Sequence, residues 1–171
     1  MLRFACAAAL AVAMALGSPA SASPVSANPR AQASVRTLRP LKLTAIRDFD
    51  LGTIVLGAGL SPAGDVAWVN RQNIRRCGDT GHLTCSGVPQ SASFNVQGTV
   101  NMQVTVRAVE SNLINASGND GMYFMPSPSL STLTISGPLG TNFNIGGSVW
   151  VGPSTTEGLY VGDMDVTVDY Q

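Results

Sequence analysis

An all-β protein, an antiparallel sandwich of short strands, is the fold class that three observations predict. Charged residues make up 12% of the 171-residue chain while Gly (18) and Pro (10) are abundant, proportions that favour strands and turns over helices. Beyond residue 22, apolar residues recur with a period of two in short runs, and none of those runs sustains a capped helical period. Clusters of Gly, Pro, Asn and Ser separate the runs, as turns separate the strands of a sandwich.

The N-terminus stands apart from this pattern. Arg3 precedes an apolar run, Phe4 to Leu16, followed by Gly17, Pro19 and Ala20-Ser21-Ala22. Charge, a short apolar core and a small-x-small site define a secretory signal peptide over residues 1–22. The run is too short to span a bilayer, and no later stretch approaches that length. Cys6 lies before the apolar core and is expected to leave with it. The mature protein is therefore expected in the periplasm, at the cell surface or outside the cell, with no transmembrane segment. Residues 23–34 (SPVSANPRAQAS) carry two prolines and no large hydrophobe, and read as a flexible arm. Counting on to residue 36, the odd positions present Val25, Ala27, Ala31, Ala33 and Val35, and the even ones include Arg30 and Arg36. Residues 35–171 are enough for one domain with its own core.

Within that domain Val35 to Ile46 reads as the first strand, with Leu41, Leu43 and Ala45 on one face. Asp48 to Leu56 reads as the second and Ala63 to Val69, with Trp68, as the third. Asn70 to Gln90 reads as irregular. Ser93 to Val96 and Thr99 to Arg107 alternate again, the latter with Val100, Met102, Val104 and Val106 in register. Gly118-Asn119-Asp120-Gly121 is a turn by composition. Met122 to Met125, Leu130 to Ser136 and Phe143 to Val151 supply three more strands, the last bent or bulged at Gly146-Gly147.

The final strand is the clearest. From Gly158 to Gln171, Tyr160, Gly162, Met164, Val166, Val168 and Tyr170 take the even positions, while Asp163, Asp165 and Asp169 take odd ones. One face is buried and the other acidic and wet. If its outer edge is unpaired, such a strand accepts another strand through main-chain hydrogen bonds.

Two resemblances rest on these residues. Leu41 to Gly57 (LKLTAIRDFDLGTIVLG) and Gly146 to Tyr170 (GGSVWVGPSTTEGLYVGDMDVTVDY) resemble, in that order, a bacterial secreted family, domain of unknown function 4402 (DUF4402). The ending also resembles that of chaperone–usher pilus subunits: alternating hydrophobics, a penultimate aromatic (Tyr170) and a glycine fourteenth from the end (Gly158). The family implies a secreted sandwich without an assigned activity. The pilin likeness implies an immunoglobulin-like or pilin-like sandwich, polymerisation through a neighbour's N-terminal strand, and a periplasmic chaperone. The arm departs from that pattern in lacking bulky alternating residues.

Chemistry-bearing residues are few. Cys77 and Cys85 are the two cysteines after residue 22; in an exported protein they are expected to pair, which stabilises by roughly 2–3 kcal/mol. A metal site needs more ligands than His82 beside them. His82 is the sole histidine, so Ser–His or His–carboxylate catalysis would have to use it, yet it sits in a small loop without a nucleophile motif. Ten acids without distinguishing context identify no glycosidase pair. Asn115-Ala116-Ser117 is a formal glycosylation sequon. Trp68 and Trp150 lie in apolar runs and read as packing residues before sugar platforms, Trp150 falling on the parity of exposed positions.

Net charge is zero but unevenly placed. Residues 23–107 hold nine Lys or Arg against four Asp, and residues 108–171 hold six acids and no base. No basic face interleaved with aromatics marks a nucleic-acid binder. The expected role is non-enzymatic and cofactor-free: an exported structural protein, a pilus- or fimbria-like or cell-surface subunit associating by β-strand pairing with itself or with pilin-like neighbours. The alternative is a free-standing secreted binding module, an adhesin or a carbohydrate- or protein-binding sandwich. A hydrolase is the third class.

Overall fold

A computed structural model describes residues 32–59, 63–78, 80–118 and 120–171. The chain divides into two units, Met1–Val35 and Arg36–Gln171. Of the first, residues 32–35 are described, and they have no regular structure. The expected signal segment, 1–22, and most of the arm, 23–34, lie outside the described residues.

The described part of the second unit is all strand and loop: β1 (Lys42–Arg47), β2 (Thr53–Leu56), β3 (Asp65–Val69), β4 (Arg75–Cys77), β5 (Leu83–Ser86), β6 (Ala92–Gln97), β7 (Gln103–Ala108), β8 (Ser111–Asn115), β9 (Gly121–Ser127), β10 (Leu130–Thr134), β11 (Thr141–Val151), β12 (Tyr160–Val161) and β13 (Val166–Tyr170). Every strand pair is antiparallel. Eight strands form one sheet, in the order β1-β6-β11-β9-β8-β12, with β3 also on β11 and β4 on β3. Opposite stand a three-stranded sheet, β10-β7-β13, and a two-stranded ribbon, β2-β5. The antiparallel sandwich expected from the sequence is what forms.

Its core lies between these layers. Ala92 and Phe94 of β6 and Ile145 of β11 pack against Val106 and Ala108 of β7, continued by Val96, Val104 and Ile135. Further along, Val69 of β3, Phe124 of β9 and Val151 of β11 join Leu51 and Leu83. The three-stranded sheet thus covers one end of the large sheet and the ribbon covers the other. Burying each of these larger apolar side chains contributes about 1.5–3 kcal/mol. β11 serves both ends: its first half pairs with β6, its second with β3 and β9. The changeover falls at the expected Gly146-Gly147 bend. A Cβ at Gly146 would lie 2.3 Å from the Val69 carbonyl oxygen, and one at Gly147 2.4 Å from the Phe124 ring.

Several elements differ from the sequence reading. The first strand starts at Lys42 rather than Val35, because the chain before it is held end-on: Arg39 N–H donates to Thr99 Oγ1 (2.8 Å) and the Arg39 carbonyl accepts from Tyr170 (2.7 Å). The run from Asp48 to Leu56 is interrupted at Gly52, whose φ of 81° is left-handed and ends extended backbone. Asp50 makes an isolated bridge to Gln90 before β2 begins. The stretch read as irregular, 70–90, contains β4 and β5. β8 has no counterpart in the sequence reading, because its inward position 115 is a buried asparagine. Val100 sits in a turn, 37% exposed, instead of extending the β7 pattern.

Candidate functional site

The terminal stretch read as one strand is two. β12 pairs with β8 in the large sheet and β13 pairs with β7 in the three-stranded sheet. Between them residues 162–165 cross from one layer to the other, where Val109 N–H donates to the Asp165 carbonyl (3.0 Å). The alternation nevertheless survives the crossing. Tyr160, Met164, Val166, Val168 and Tyr170 are half-buried, and every odd position from 159 to 171 is exposed. Gly162 departs from its even-numbered neighbours and is exposed.

Where the chain crosses, strand pairing is interrupted between Val161 and Val166. Among the described residues, β13 hydrogen-bonds to one strand, β7, so it is a sheet edge. Beside the segment that leads into this edge strand opens a cleft of about 1220 Å³, lined up to Asp165 and by no residue of β13 itself. Its floor is the inner face of the large sheet, including Phe94, Phe124 and Val149. One lip runs from Arg47 to Leu56 and the other from Thr155 to Asp165. The floor is sealed by the lips, but the lips carry exposed apolar groups: Val55 (53%) and Leu56 on one, Leu159 (68%) and Val161 on the other.

Each lip is built by identifiable contacts. On the first, Asp50 and Gln90 exchange backbone hydrogen bonds of 2.8 and 2.6 Å. Gly52 N–H donates to Asp50 Oδ1 (2.7 Å), and Arg75 Nη1 donates to the carbonyls of Leu51 (3.0 Å) and Ser86 (2.6 Å). Cys77 and Cys85 form the expected disulfide, with Cα atoms 5.7 Å apart. They lie on β4 and β5, so the bond ties the ribbon carrying the first lip to the large sheet.

The second lip is held by the β8–β9 turn. Asp120 Oδ2 accepts from Thr156 N–H (2.8 Å) and from Tyr160 OH (2.7 Å). Those two bonds, the tyrosine first, pull the Asp120 carboxyl below its ordinary value of 3.8. Asn115 is 3% exposed; its Nδ2 donates to the Glu157 carbonyl (3.0 Å) and its Oδ1 accepts from Ser117 N–H (3.0 Å). The sequon asparagine is thus a buried clamp. Gly158, at φ 148°, lies against it: a Cβ there would come within 2.4 Å of the Asn115 amide.

The seven residues singled out for strand pairing therefore divide. Gly158, Tyr160, Gly162 and Met164 line the cleft. Val166 and Val168 pack into the core beside it. Tyr170 closes the far end of β13, donating to the Arg39 carbonyl and accepting from Thr99 N–H, each at 2.7 Å. Sequence reasoning read Asp48 to Leu56 as a strand and not as part of a site, although it places Asp48 and Asp50 among Phe49, Leu51, Ile54, Val55 and Leu56.

The other candidates are occupied structurally. His82 Nδ1 lies 3.2 Å from the Ala58 carbonyl on an exposed loop. Trp150 donates from Nε1 to the Ala63 carbonyl (3.0 Å), and a Cβ on Gly64 or Gly152 would come within 2.6 Å of its ring. That packing accounts for the tryptophan without a sugar. Among the described residues no group of three His, Cys, Asp or Glu is placed to hold a metal ion, and no helix is long and apolar enough to cross a membrane.

Fold and cleft together define an antiparallel all-β sandwich in which β13 is an edge strand among the described residues. The family model for domain of unknown function DUF4402 matches residues 41–170, and the chain belongs to that family. No curated protein and no solved structure matches it.

Proposed function

We propose that this chain is a non-enzymatic, exported structural subunit of the pilus-like or cell-surface kind, and that it associates by accepting a strand from a second copy beside β13. The observation that carries this reading is the edge position of β13, which pairs with β7 alone among the described residues. The chain leading into it forms one lip of a cleft whose lips expose Val55, Leu56, Leu159 and Val161. Edges of this kind template the addition of another strand. The segment offered for it is the arm, residues 23–36, whose small odd-numbered face suits a shallow groove. Contacts of this type are head-to-tail, and where the rotation between copies does not close they build a fibre rather than a ring.

Deleting residues 23–36 tests the proposal. The intact mature chain is expected to form a concentration-dependent ladder of oligomers in sedimentation, and the truncated chain to remain monomeric. Hydrogen exchange should show β13 amides gaining protection on assembly of the intact chain. A monomeric intact chain, or an unchanged ladder after truncation, overturns the reading.

A further inference from the structure

The lips of the cleft are acidic as well as apolar. Asp48 and Asp50 on the first lip and Glu157, Asp163 and Asp165 on the second all border the opening, and all five are exposed. Two cations reach the lips, and both are engaged: Arg47 Nε donates to the Ser91 carbonyl (3.1 Å) and its Nη2 to Ser91 Oγ (3.4 Å), while Arg75 Nη1 donates to the Leu51 and Ser86 carbonyls. An apolar slot rimmed on both sides by carboxylates is mismatched to an acidic or neutral strand. It suits an extended segment whose buried face is small and apolar and whose outer face is basic.

We infer that these carboxylates are the specificity element of the cleft, admitting the basic arm of a second copy through Arg30 and Arg36. The inference rests on the proposed strand addition and adds to it what chooses the strand. Residues 23–36 carry those two arginines and no acid, whereas the chain from residue 108 onward, which includes β13, carries six acids and no base. Arm and lip therefore attract, while lip and lip, or two copies of β13, repel. That asymmetry favours head-to-tail joints over edge-to-edge ones, and it weakens with salt because the rim is exposed.

Complementary charge reversal in the full chain tests this. One variant carries Asp163→Lys and Asp165→Lys, and the other carries Arg30→Glu and Arg36→Glu. Arg36, Asp163 and Asp165 are exposed, and far-UV dichroism with thermal midpoints checks that both variants fold as the parent does. Each variant alone is expected to assemble at least tenfold more weakly than the parent in sedimentation. Mixed one to one, they should assemble again, because each arm now meets a lip of opposite charge on the other variant. Variants that assemble as well as the parent overturn the charge selection but leave strand addition standing. Loss of assembly without recovery on mixing overturns it too. A parent chain that is monomeric at every concentration removes strand addition itself, and the inference with it.

Discussion

Asp120 shows how a single carboxylate positions a binding surface. It lies in a turn but accepts from both Thr156 and Tyr160 on the second lip. Its folded pKa lies below the ordinary 3.8, so the stabilisation is fully present above that value and is lost as pH falls through the folded one. Thermal melting across pH should show it: Asp120→Asn lowers the midpoint at neutral pH, and the two curves converge as the pH falls through the lowered folded value. Curves that stay parallel throughout would assign the loss to packing instead. Such roles are poorly legible in a sequence. Asn115 reads as a surface sequon and is a buried clamp, since nothing local announces that its amide will meet Glu157 forty-two residues on. Gly158 reads as part of a terminal motif, and its positive φ and contact with Asn115 supply a local reason for the glycine.

At the scale of elements, periodicity carried furthest where both faces of a strand are unequal. β6, β7 and β13 follow their alternation because one face meets core and the other water. The run from 158 to 171 misled in continuity alone. Its period of two persists through a crossing between layers, so no break in pattern marks the loss of pairing at 162–165. β4 and β5 were hidden because a three-residue and a four-residue strand are too short to display a period. What the cysteine spacing did convey was a staple, though not that it joins the ribbon to the large sheet. The disulfide should therefore leave no titratable thiol at Cys77 or Cys85 in the unreduced, denatured mature chain. Its reduction should lower stability in urea by roughly 2–3 kcal/mol, with the β2–β5 ribbon the first region to lose exchange protection. Two reactive thiols, or uniform loss of protection, would contradict that arrangement.

Among the described residues a large sheet of eight strands is faced by five, with the cleft between the two lips on the second face. A sandwich completed by its own chain has a stability independent of its concentration. One completed by a neighbour binds a strand in the folded state that the unfolded state does not bind, and mass action then adds stability with concentration. Above the dissociation constant, each tenfold rise in protein concentration should contribute about 1.4 kcal/mol to the folded state. The thermal midpoint of the intact chain is therefore expected to climb with concentration, and that of the chain lacking residues 23–36 to stay flat. Adding the 23–36 segment in trans, as a free peptide, should raise the midpoint of the truncated chain, and high salt should diminish that rise because exposed carboxylates on the lips are screened. A midpoint that ignores both concentration and peptide would mean that the lips close on themselves, and that the sandwich is complete in one copy.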